Sequence, residues 1–274
     1  MGEQDNERIR ERENDRMRDQ DQERNRSREA EPEPQGNVRI AAVADIHVRE
    51  HDAGKWSEFF KEASRQADIL LIAGDLTDTG DEGEAEVLVN ELKHCTIPVV
   101  AVLGNHDYEK SRHKLIRQIL LRAGIHVLDG EAVVVKGIGF AGVKGFGGGF
   151  DNRMLSMFGE GAMKAFVQEA VDEALHLERA LGRLDQEHRA SKKIAVMHYA
   201  PIRETVIGEP EAIFPFLGCS RLAEPLSRHG VLAAFHGHAH VGTLEGKTPD
   251  GIPVFNVAKP ILNKQEKQFL LFDA

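Results

Sequence analysis

Carboxylates and imidazoles recur along this chain in short runs. They occur as DIH at 45–47, GDLTD at 74–78, GNHD at 104–107, MHY at 197–199 and HGHAH at 236–240. Together these runs supply Asp45, His47, Asp75, Asp78, Asn105, His106, Asp107, His198, His236, His238 and His240. The donors are carboxylate oxygen, imidazole nitrogen and one amide, with no thiolate. Borderline divalent ions such as Mn, Fe and Zn suit that mixture, whereas a calcium cage would be built from oxygen alone. A structural zinc takes about four ligands. This set offers more than that, so two metals sharing a carboxylate fit it better than one.

Residues so far apart in sequence need a scaffold that gathers them. NVRIAAVADIH reads as an apolar strand that ends in chemistry, and so do ADILLIAGDLTD, IPVVAVLGNHD, KKIAVMHYAP and VLAAFHGHAH. Between them, KWSEFFKEASRQ, EGEAEVLVNELKHC and SRHKLIRQILLRAG carry apolar residues at helical spacing. HVLD, EAVVVKG and IGFAGVKG are β-prone, and a long helix is predicted from about Gly161 to Leu184. RLAEPLSRHG reads as a short helix with Ser220 just before it as N-cap. PVFNVAK and KQFLLFDA close the chain as strands. Strand–helix alternation gives largely parallel strands with covered faces. Ligands of open α/β sheets bind beyond the carboxyl ends of the strands. Every polar run stands at such an end, so the runs are expected to converge.

The chain has 274 residues and 41% hydrophobic content, enough for one sizeable α/β core. A formal net charge of −10 gives no general pull toward nucleic-acid backbone or anionic membrane. Cys95 and Cys219 are far apart and form no CxxC or disulfide framework, which points to a reducing compartment. No apolar leader and no run of 18 apolar residues is present, so the expected location is cytoplasmic. Residues 1–36 hold eight Glu, four Asp and eight Arg with almost no apolar side chain. They are expected to form a charged, disordered tail whose partner the sequence does not name. The domain proper is then 37–274.

In order after apolar strands stand Asp45-x-His47, Gly74-Asp75, Gly104-Asn105-His106-Asp107, His198 and Gly237-His238-x-His240. This set resembles the five blocks of the calcineurin-like metallophosphoesterase family over about residues 38–262. The resemblance implies a four-layer αββα sandwich of two mixed β-sheets flanked by helices. It implies that Asp45, His47 and His240 bind one metal, that Asn105, His198 and His238 bind the other, and that Asp75 bridges them. His106 would then be a catalytic donor to the substrate, oriented by the Asp78 carboxylate. Such a site has physical sense: two-metal centres clamp an in-line displacement at phosphorus, and a metal-bridging hydroxide would be the nucleophile.

The function expected on this basis is hydrolysis of a phosphoric ester, a phosphodiesterase or phosphatase acting on a small soluble substrate. The cofactors would be two divalent ions, Mn, Fe or Zn. Asn105, His106, Tyr199 and Arg203 are the expected substrate contacts. His236 is expected to be a non-ligand, Asp107 a structural residue, and GFGGGF at 145–150 a connection needing positive φ. A nuclease of the same fold is a second reading, and a non-catalytic binding module a third. Loss of a ligand position would mark the third, and none is lost.

Overall fold

The computed structural model of this chain describes residues 37–188 and 192–274, so the charged segment 1–36 lies outside the described residues. The strands are β1 (Arg39–Val43), β2 (Ile69–Ala73), β3 (Val99–Val102), β4 (His126–Leu128), β5 (Glu131–Val135), β6 (Ile138–Gly142), β7 (Lys193–Val196), β8 (Ala233–His236), β9 (Glu245–Lys247), β10 (Pro253–Asn256) and β11 (Leu270–Asp273). The helices are α1 (Ser57–Gln66), α2 (Glu82–Leu92), α3 (Asn105–Tyr108), α4 (His113–Arg122), α5 (Gly161–Arg183), α6 (Phe214–Leu217), α7 (Ala223–His229) and α8 (Lys259–Lys264).

One sheet has the order β11-β1-β2-β3-β4 and the other β5-β6-β7-β8-β10-β9. In the first, β1 to β4 are parallel and β11 is an antiparallel edge. In the second, β6, β7, β8 and β10 are parallel, and β5 and β9 are antiparallel edges. Both sheets are therefore mixed. Parallel strands covered on both faces should be apolar throughout, and all five residues of β2 are buried.

Period-two alternation assigns the faces of the second sheet. Ile138, Phe140, Ile194, Val196, Ala233 and Phe235 join the core shared with β1, β2 and β3. Ala141, Ala195 and Ala234 face away, into a separate cluster with Leu177, Ala180 and Leu181 of α5 and Leu226 of α7. On the outside of the first sheet lie Phe60 of α1, Leu88 of α2 and Ile116 and Leu120 of α4. The result is the four-layer αββα sandwich, and it sends the carboxyl ends of β1, β2, β3, β7 and β8 to one edge.

Two local features depart from the sequence reading. The strand β9 is too short and polar, and α8 too short, to show a period. Ser220 does not cap a helix: it lies in a 3-10 turn, Ser220–Leu222, and its hydroxyl accepts a hydrogen bond from the Asp151 N–H at 3.0 Å. The Asp151 N–H, just beyond the glycine-rich loop, takes the hydroxyl that a regular helix start would have used. The helix α2 is capped by Asp81, whose N–H donates in turn to the Glu84 carboxylate in a capping box. Among the described residues, no helix is long and apolar enough to cross a membrane.

Candidate metal centre

The loops after β1 and β2 run side by side beyond the sheet. Asp45 N–H donates to Gly74 O at 3.0 Å, His47 N–H to Asp75 O at 3.1 Å and Val48 N–H to Leu76 O at 3.0 Å. Within and beside this ladder, Asp45, His47, Asp75 and, across the cleft, His238 take φ of 57, 44, 49 and 68°. Left-handed backbone at a non-glycine residue is sparsely populated, costs about 1–3 kcal/mol, and gathers at functional sites. Here it turns successive side chains toward one point instead of letting them alternate across a sheet.

Two groups of ligand-type side chains result. Asp45, His47 and His240 bring one donor atom each to within 4.8 Å of one another, and so do Asp75, His198 and His238. Asn105 joins the second group, with its amide oxygen 2.9 Å from Nε2 of His198. The Asp75 carboxylate lies between the groups: Oδ1 is 3.3 Å from Nε2 of His198, and Oδ2 is 3.8 Å from Nε2 of His47. In the first group, Oδ1 of Asp45 is 2.9 Å from Nε2 of His240.

Main-chain carbonyls decide which nitrogen of each ring faces inward, because a carbonyl can only accept. His198 donates from Nδ1 to Ala73 O at 3.0 Å. His238 donates from Nε2 to Phe216 O at 3.1 Å. In the neutral ring the opposite nitrogen would then offer its lone pair to an ion in the cluster. Both ring nitrogens of His47 are buried and have no hydrogen-bond partner. Buried polar atoms are rarely left so, and an imidazole–carboxylate set around them is what Mn, Fe or Zn would bind. The residues therefore fit the metal-binding role expected of them.

The electrostatics are those of a cluster short of positive charge. Burial opposes ionisation of Asp75, but the charge and hydrogen bond of His198, with His47 behind, hold its carboxyl well below the usual range. Burial likewise opposes protonation of His198, and the Asp75 charge overrides it, raising His198 to about 9. His240 is raised by its hydrogen bond to Asp45. His238, buried and next to His198, is lowered to about 4.

His236 stands apart. It is fully buried, donates from Nδ1 to Gly237 O at 2.8 Å and accepts from Thr205 Oγ1 at 2.8 Å. Neither nitrogen is left for an ion. Burial lowers its pKa from 6.5 to about 4. The unfolded chain then takes up a proton that the folded one refuses, so stability present above pH 6.5 is lost as pH falls toward 4. In chelator-treated protein this one residue should remove about 3 kcal/mol across that window. Denaturant midpoints at pH 8 and pH 4.5 should differ less in His236→Gln than in the parent chain.

Asp107 is also internal. Its carboxylate accepts from the N–H groups of Leu76 at 3.2 Å, Thr77 at 2.8 Å and Gly104 at 2.7 Å, and from Thr77 Oγ1 at 2.6 Å. It ties the loop after β2 to the loop after β3. His106 is half exposed, and its ring lies 4.5 Å from that of His47. Its Nδ1 donates to the main-chain oxygen of Asp78 at 2.6 Å. This corrects the expected role of Asp78 in its atom: the carbonyl, not the carboxylate, holds His106. The carboxylate is taken by Arg49, whose Nε is 2.9 Å from Oδ2.

The expected substrate contacts divide. Tyr199 is buried, with its ring 4.4 Å from that of His238, and backs a candidate ligand. Arg203 pairs with Glu211 at 3.4 Å and lies over Phe214, so it is not gathered with the cluster. In the glycine-rich loop Gly145, Gly148 and Gly149 take φ of 78, 155 and 87°. That loop is pinned by Gly148 N–H to Pro215 O at 2.6 Å and Gly149 N–H to Gly218 O at 2.9 Å.

Residues 38–242 match the family model described as calcineurin-like phosphoesterase. The chain belongs to the calcineurin-like phosphoesterase family. It is 34% identical over 92 residues to the uncharacterised protein YpbG of Bacillus subtilis, covering 33% of this chain and 34% of that protein. It is 31% identical over 88 residues to a probable cyclic nucleotide phosphodiesterase of Coxiella burnetii, covering 29% of this chain and 36% of that protein. The aligned part thus spans about a third of these curated relatives. Among solved structures it is similar in fold to the phosphopantetheinyl hydrolase PptH of Mycobacterium tuberculosis. That match has a TM-score of 0.61 at 14% identity and covers 87% of this chain and 96% of PptH.

Proposed function

We propose that this calcineurin-like phosphoesterase, in its domain 37–274, is a metal-dependent hydrolase of small phosphate esters. The observation that carries the reading is the position of Asp75, its two carboxylate oxygens facing His198 and His47 from one place. Asp45, His47 and His240 would hold one divalent ion and Asn105, His198 and His238 the other, with Asp75 serving both. Bound there, Mn, Fe or Zn would supply positive charge to the phosphoryl oxygens and acidify a water to act as nucleophile.

The protein's own groups do the rest. The carbonyl contacts of His198 and His238 keep those rings in the tautomer that offers a lone pair inward. His106 is fixed through Nδ1 by Asp78 O; in its doubly protonated form Nε2 would give its proton to the leaving oxygen. Tyr199 acts as the wall behind His238, and Arg203 stays outside the reaction. Similarity to a probable cyclic nucleotide phosphodiesterase supports a diester as the natural class.

Supplied with Mn²⁺, the purified protein is expected to hydrolyse a bis-aryl diester or an aryl monoester, and EDTA is expected to stop it. The same screen, extended to cyclic nucleotides and oligonucleotides, ranks the substrate classes. Absence of turnover on every phosphate ester, with metal shown to be bound, would overturn the enzymatic reading in favour of a binding module.

A further inference from the structure

Asp78 works through two different atoms. Its main-chain oxygen accepts from His106, so the orientation of that ring does not require the side chain. The carboxylate meets a guanidinium instead: Arg49 Nε is 2.9 Å from Oδ2, and Arg49 Nη2 is 3.3 Å from Oδ1. Two-point contacts of this kind fix a carboxylate in direction as well as place.

On its other side, Oδ1 of Asp78 lies 3.6 Å from Nδ1 of His47. That is longer than a hydrogen bond. Yet Nδ1 is buried without a partner, and Asp78 is the carboxylate that faces it, just as Asp75 faces Nε2. His47, Asp78 and His106 form a compact group, with donor atoms within 4.8 Å of one another. The main chain holds the parts in place: Asp78 N–H donates to Val48 O at 3.1 Å, and Arg49 N–H to Asp52 Oδ2 at 3.0 Å.

We infer that the Asp78 carboxylate, clamped by Arg49, is the positioning partner of His47 and not of His106. It takes the Nδ1–H of His47 and so aims Nε2 at the ion shared with Asp45 and His240. Carboxylate–histidine–metal arrangements fix ring and tautomer in this way, and losing the outer partner lowers metal affinity about 10–100-fold. The inference rests on the two-ion reading above. It makes Arg49 a positioning residue one contact further out.

The test is equilibrium titration with Mn²⁺ alone, without substrate, on Arg49→Met, Arg49→Lys and Asp78→Asn. Arg49 is an exposed residue, so its variants should fold even where Asp78→Asn does not. Arg49→Met and Asp78→Asn are expected to weaken one of two Mn²⁺ sites about 10–100-fold and to leave the other unchanged. Arg49→Lys, which keeps the charge without the fork, should recover part of that loss. With Co²⁺ in place of Mn²⁺, the visible absorption of one ion only should change. If Arg49→Met and Asp78→Asn keep two sites at parent affinity and lose only kcat, the carboxylate serves His106 and the inference falls. If Arg49→Met raises KM with both sites intact, Arg49 meets substrate and the inference falls as well. A parent chain that binds no Mn²⁺ would overturn the function reading first, and this one with it.

Discussion

Gly237→Ala is expected to be among the most damaging single-methyl changes this protein can suffer. A Cβ at Gly237 would stand 2.4 Å from Oδ2 of Asp45 and 2.5 Å from Cβ of Ala44. Neither can retreat. Ala44 is fully buried just beyond β1, and the Asp45 carboxylate is held by the His238 N–H at 3.1 Å. Gly104 is as tight, since a Cβ there would lie 2.3 Å from the main-chain nitrogen of Asp75. Overpacking alone typically costs about 1–3 kcal/mol. Here the displaced atoms also belong to the cluster, so Mn²⁺ binding should be lost together with stability of about 3 kcal/mol or more. Gly182→Ala is the control. It lies near the end of α5, with only His229 Cε1 near, at 3.9 Å. It should stabilise by about 0.5–1 kcal/mol. Urea unfolding of the three variants, paired with Mn²⁺ titration, checks the ordering. A Gly237→Ala chain with parent stability and two bound ions would refute it.

The second large effect is catalytic. His106→Ala should lower kcat by about 10²–10⁴-fold while both ions stay bound, because no ligand atom is removed. His106 donates through Nδ1 to Asp78 O and is half exposed, so its deletion opens no buried cavity. The decisive comparison uses aryl esters of graded leaving-group acidity. Good leaving groups need little protonation, so the penalty should shrink as the phenol becomes more acidic. A uniform penalty across the series would show that His106 binds the phosphoryl group instead of donating to the departing oxygen.

The strand ends were legible because a parallel sheet makes sequence position predict spatial position. An apolar run followed by DIH, GD or GNHD can only deliver its polar end to the carboxyl edge. Alternation could not separate His236 from His238 and His240, since all three stand at every second position; only the family pattern, which asks for no histidine at 236, set it apart. What the sequence hid were partners without a side-chain identity. Ala73 O, Phe216 O and Asp78 O select the tautomers of His198, His238 and His106, and any residue type could supply a carbonyl. Thr205, which completes His236, is 31 residues away in a connecting segment. Arg49 was closer to being readable, being a cation two residues beyond His47, but nothing in the spacing told which carboxylate it would choose. Nor did the spacing tell why 237 is glycine: the room beside it is taken up by the Asp45 carboxylate.

The contacts that shape the cluster are also the seams of the sandwich. His198, at the end of β7, bonds across to Ala73 at the end of β2. His238, beyond β8, bonds by its N–H to Asp45, beyond β1. Each joins one sheet to the other. The edge therefore behaves as a clasp whose two halves are borne by separate sheets, and the spacing between sheets and the spacing between donors become a single coordinate. A ligand that closes the clasp resists any motion that parts the layers, and its binding energy adds directly to the folded state. Conversely, a repacked Phe140 or Phe235 in the shared core, though it touches no ion, would be felt at the clasp as a change in fit.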